Sequence, residues 1–150
     1  MTPNFSDSFG QMDFSTGFNL LSFIIFFTQN KSPMEIINLL HYSTRAELRQ
    51  WLEENHNKEK CCWVVMYRSK KPEWPAIAYI DVVEEALCFG WIDSTLKRLP
   101  DGRLAQRLSP RRKKSHWTQL NIERCKDLES RGLMTEAGRS ALPNINSISN

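Results

Sequence analysis

The sequence predicts an α+β fold: one small domain in which a short antiparallel sheet, with a hairpin at about 91–108, is packed by helices. Three observations carry this. Apolar residues repeat at helical spacing over 45–55. The run CCWVVMY over 61–67 is β-branched and aromatic and bounded by charge, as a buried strand is. Pro100-Asp101-Gly102 then separates two further strand-like runs, 91–99 and 103–108, with strong turn chemistry. At 150 residues, 41% apolar and 25% charged, the chain has the size and composition of one soluble globular domain.

The elements follow in order. Residues 1–33 hold seven of the eight phenylalanines and only one of the twenty Lys/Arg, Lys31. They read as an N-terminal extension, disordered or not native, with Met34 the natural start. Their apolar run FNLLSFIIFF is ten residues, half of what a membrane-spanning helix needs. The domain itself is expected over 34–143. Thr44 with Glu47 forms a capping-box pattern that opens a helix over 45–55, with Ala46, Leu48, Trp51 and Leu52 as its apolar stripe. Residues 68–75 form a polar connection with two prolines. Asp81 is the expected N-cap of a helix over 82–89, closed by Gly90. Beyond the hairpin, Thr118–Ser130 reads as a helix with Leu120, Cys125 and Leu128 inward, ended by Gly132. Thr135 caps a last short helix over 136–142, Pro143 stops it, and 144–150 is a tail. Trp51, Trp63 and Trp74 are expected at the core or its edge.

The four cysteines, 61, 62, 88 and 125, form no CxxC pair and no zinc spacing. They read as buried, reduced thiols, with no metal and no cofactor implied. Net charge is only +3, but residues 97–116 carry eight cations against one acid, Asp101. That local excess suits an anionic ligand, and the modest total argues against a general nucleic-acid coat. The candidate ligand-binding residues are therefore Trp91, Asp93, Arg107, Ser109, Arg111, Arg112, Ser115, Trp117 and Asn121. Arginine forks match phosphate or carboxylate oxygens, Trp91 and Trp117 bracket the tract, and Asp93 would orient its arginines. His116 is the only histidine within the tract, and no GxSxG elbow or glycine-rich phosphate loop accompanies it.

Three blocks carry a family resemblance: ALCFGWIDS, QRLSPRRKKSHWTQLNIER and SRGLMTEAGRSAL. The chain resembles the YdeI/OmpD-associated, or bacteriocin-protection, proteins across roughly 43–142. Their pattern is ALxFGWIDG, RxSPRRxxSxWSxxN and GxMTxAG; Ser94 and Thr118 depart from it. The resemblance implies a role in protection from bacteriocins and antimicrobial peptides, and the family name alone implies an outer-membrane porin as partner. It supplies no catalytic residue. The family is often described as periplasmic, but free cysteines and the lack of a signal-peptide pattern favour the cytoplasm for this chain.

The expectation is thus a non-enzymatic module binding an anionic, phosphate- or carboxylate-bearing small molecule, with no integral membrane segment. Two alternatives stand beside it. One is an enzyme of unknown reaction using an Asp93/His116 cleft, and the other is nucleic-acid binding through the basic loop 111–114.

Overall fold

A computed structural model describes residues 34–144, so the expectations for 1–33 and for the tail from 145 onward fall outside the described residues. The strand at Cys62–Tyr67 (β2) is the middle of the sheet, and its first five residues are all buried. One edge pairs antiparallel with β5 (Leu104–Pro110), in register Cys62↔Leu108 through Met66↔Leu104. The other edge takes two strands of two residues each, β1 (Leu39–Leu40) at its start and β3 (Ile77–Ala78) at its end, both parallel. The outer strand β4 (Trp91–Arg98) pairs antiparallel with β5. The expected hairpin is therefore present, and the sheet as a whole is mixed. Its turn closes with Gly102 N–H on the Leu99 carbonyl at 2.9 Å, and Gly102 supplies a φ of 90°. Between Asp93 and Leu96 the register slips by one residue, a β-bulge in β4.

Strand alternation gives the sheet two different faces. Cys62, Val64, Met66 and Leu108 join the large core cluster with the helices, whereas Trp63, Val65 and Ala105 form a smaller cluster on the opposite face. Helix α1 (Arg45–Asn55) starts at the expected capping box: Thr44 accepts from the Glu47 N–H, and Glu47 accepts from the Thr44 N–H. Leu48 and Leu52 are fully buried, Trp51 is half-buried, and Ala46 is exposed. Burying each leucine contributes about 1.5–3 kcal/mol.

Helix α2 runs Tyr79–Cys88 and corrects the expected start, because β3 feeds straight into it and Ala78, not Asp81, is the N-cap. Asp81 sits in the first turn, where a carboxylate faces the positive end of the helix and pairs with Arg45 at 3.2 Å. Helix α3 (Gln119–Ser130) is capped by Thr118 and buries Cys125 and Leu128. Leu120, expected inward, is 55% exposed. Its position is about 140° around the helix from Cys125 and about 80° from Leu128. Gly132, with φ 71°, ends α3, and α4 (Glu136–Ala141) is capped by Thr135. The described chain from Ile36 onward is one small α+β domain.

Candidate anion-binding cleft

The three blocks, separate in sequence, meet at the carboxyl end of α2. Gly90 leaves α2 with a φ of 71°, and its carbonyl accepts the Arg111 N–H at 3.0 Å. A side chain here would meet the Ala137 carbonyl oxygen at 2.8 Å, so glycine is needed for space as well as for conformation. From the third block, Thr135 caps α4 and also gives both its backbone N–H and its hydroxyl to the Cys88 carbonyl. Gly138 lies so close to that carbonyl that a Cβ would stand 2.3 Å from the oxygen. Together these contacts seat α4 on the last turn of α2. The second block leaves β5 at Pro110 and folds over the seam, with the Ser115 N–H on the Arg112 carbonyl at 3.0 Å.

Between that loop and α4 lies a cleft of about 500 Å³. Arg111, Arg112 and Lys113 line it, Ser115 and Ser140 add hydroxyls, and no carboxylate faces it among the described residues. The Arg111 guanidinium lies over the Trp117 ring, 3.7 Å from Cζ to the ring centroid. Its Nη1 reaches the Ser115 hydroxyl and the His116 carbonyl, both at 3.4 Å. Nε and Nη2 are buried and have no hydrogen-bond partner among the described residues. Burial accordingly lowers the Arg111 pKa, offset only in part by Cys125 and Asp93.

The candidates from the sequence separate into those the cleft gathers and those it does not. Arg111, Arg112, Ser115 and Trp117 meet there. Trp91 is corrected to a core residue: it is 1% exposed, donates to the His56 carbonyl at 3.3 Å, and meets Trp51 edge to face. It therefore cannot bracket a ligand with Trp117. Asp93 is also corrected, because its carboxylate accepts the Tyr79 hydroxyl at 2.7 Å and forms no ion pair with an arginine among the described residues. Arg107 and Ser109 alternate onto the other sheet face from Leu108. Arg107 sits opposite Trp63 and bonds the Ser94 hydroxyl at 3.3 Å. Asn121 is held in the first turn of α3, where it bonds Thr118 and accepts from Arg124 at 3.0 Å. No contact joins Asp93 to His116, which is exposed. Sequence reasoning missed Ser140, and took Lys113 only as part of the basic loop 111–114 and Gly90 only as the end of the helix. Only the fixed spacing of the third block, Thr135 to Gly138, pointed to the role of α4.

All four cysteines are unpaired and buried. Among the described residues no group of three His, Cys, Asp or Glu is placed to hold a metal ion. No helix there is long and apolar enough to cross a membrane.

The fold and cleft define a small α+β domain with a basic pocket behind its hairpin. Residues 40–141 match a family described as a domain of unknown function (DUF8412), and the chain belongs to that family. No curated protein and no solved structure matches the chain.

Proposed function

We propose that this domain is a non-enzymatic module that binds an anionic small molecule, bearing phosphate or carboxylate, in the Arg111 cleft. The observation that carries the reading is the state of Arg111. Its guanidinium is held flat on Trp117 while two of its nitrogens lack an acceptor from the described residues. A half-buried cation with unmet nitrogens is disfavoured until a nearby anion compensates its charge. The cations of Arg112 and Lys113 beside it, with no opposing carboxylate in the lining, support the same ligand class.

The resemblance to the YdeI/OmpD-associated proteins extends the proposal to protection against bacteriocins and antimicrobial peptides. The positive cleft would repel a cationic peptide, so protection by direct capture of the peptide is disfavoured. Four buried, unpaired thiols fit a reducing, cytoplasmic setting. An enzyme built on Asp93 and His116 is disfavoured by the Tyr79 bond that occupies Asp93. A nucleic-acid contact at this loop is disfavoured because Arg111 already covers one face of Trp117.

The test is a thermal-shift screen of the full chain against phosphorylated metabolites and di- and tricarboxylates, with an Arg111→Ala, Arg112→Ala variant in parallel. A ligand at a hundred times its Kd stabilises the folded state by about 2.7 kcal/mol. A compound that raises the melting temperature of the wild type and not of the variant is expected. Equal shifts in both proteins, or none in either, would sink the proposal.

A further inference from the structure

A second basic cleft lies at the other end of the hairpin. The Arg111 cleft adjoins the start of β4 and the end of β5, whereas this one adjoins the end of β4, the turn and the start of β5. It encloses about 480 Å³ between the hairpin turn and the connection 68–75. Arg68, Lys70, Lys71 and Arg98 line it against a single carboxylate, Glu73. Trp74 belongs to the same wall. Expected at the core or its edge, it is instead 49% exposed. Pro75 holds the backbone of Trp74 to extended conformations, and Pro72 stiffens the loop two residues earlier. The backbone that carries the indole thereby has less freedom to lose on binding. Two of the cations are also fixed: Arg98 donates to the Gly102 carbonyl at 2.8 Å, and Arg68 lies over the Tyr79 ring at 4.3 Å. Lys70 and Lys71 make no ion pair among the described residues.

An exposed indole on a proline-stiffened loop, amid four cations, suits a ligand that has both a flat ring and a negative charge. A base stacks on any aromatic face, and lysine and arginine take the phosphate beside it. A purely acidic peptide would use the cations and leave the indole without a role. We propose that this cleft binds a nucleotide unit, its base stacked on Trp74 and its phosphate held by Lys70, Lys71 and Arg98. The unit can be a free nucleotide or one residue of a single strand.

Two probes separate the sources: a fluorescein-labelled 15-mer of deoxythymidine, read by anisotropy, and thymidine and adenosine monophosphates as competitors. Both are titrated into the full chain at low and moderate salt. The 15-mer is expected to bind. Competition by a monophosphate near its own Kd assigns a free nucleotide, and failure to compete assigns a strand; either upholds the proposal. Trp74→Ala should weaken binding about ten-fold. Lys70→Ala with Lys71→Ala should flatten the salt dependence, by about 0.7 in log–log slope for each phosphate no longer neutralised. Circular dichroism confirms that these variants, changed only in an exposed loop, remain folded. Binding lost in Trp74→Ala is assigned to this cleft, because Trp74 lines this cleft and not the first. No binding at low salt, or binding untouched by Trp74→Ala, would overturn the proposal.

Discussion

Arg45 and Arg111 are both drawn partly out of water by the fold, and their surroundings differ sharply. Arg45 on α1 meets Glu85 at 2.7 Å, Glu84 at 2.9 Å and Asp81 at 3.2 Å, all on α2. Arg49, one turn on, takes the other oxygen of Glu85 at 3.1 Å and the Leu133 carbonyl at 2.8 Å. Burial alone would lower the Arg45 pKa, but the bonds from Glu85 and Glu84 outweigh it and the pKa is raised. For Arg111 burial also comes first, nothing comparable opposes it, and the pKa is lowered. Arg45 Nη2 also lacks a partner, but its neighbours on the same guanidinium are met by carboxylates. The two sites separate a cation that fastens helices together from one whose charge no carboxylate among the described residues pairs with.

The largest expected effect comes from breaking the first site. Glu85 is 1% exposed and answers two arginines, so Glu85→Ala should cost about 3–5 kcal/mol in urea unfolding. A loss under about 1 kcal/mol, the range of an exposed pair, would mean the cluster does not join α1 to α2 as described. Gly138→Ala comes next, at roughly 1–3 kcal/mol, because the added methyl meets the backbone of Cys88 and that carbonyl cannot swing away. Since α4 also walls the Arg111 cleft, this variant should weaken anion binding as well. Glu85→Ala should leave anion binding intact wherever the protein is folded.

The thiols beside the two sites respond to pH alike. Burial pushes Cys88 and Cys125 each up to about 11 from an ordinary 9.0, with Glu85 adding to the first and Arg111 opposing the second. Between pH 9 and 11 the unfolded chain therefore gives up these protons before the folded one. Stability is fully present below about pH 9 and falls as pH rises through that window. Urea midpoints at about pH 8 and about pH 10 should show the fall, and Cys125→Ala should lessen it. A fall of the same size in that variant would remove Cys125 from the account.

The contrast between the arginines could not be read in the sequence, although much of the fold could. Thr44 and Glu47 announced α1, and Pro100-Asp101-Gly102 announced the hairpin, because caps and tight turns depend on residues within a few positions of each other. Strands β1 and β3 gave no sign, since two-residue strands hold their place by pairing with β2. The basic tract marked Arg111 and Arg112 as candidates for an anion site. It could not show which way each side chain points. The sheet alternation removes Arg107 and Ser109, the core takes Trp91, and the Tyr79 hydroxyl takes Asp93. Those outcomes depend on partners 14 to 44 positions away in the chain.

The most direct test of the central claim is a pair of urea unfolding curves for wild type and Arg111→Met, each without and with a saturating concentration of the anion found to bind. Methionine keeps the apolar contact with Trp117 and removes the uncompensated charge. Without anion, the variant should be as stable as wild type, within about 0.5 kcal/mol, or more stable. With anion, only the wild type should gain. If Arg111→Met costs several kcal/mol without anion, Arg111 is a structural residue like Arg45, and the cleft is not a site held ready for a ligand.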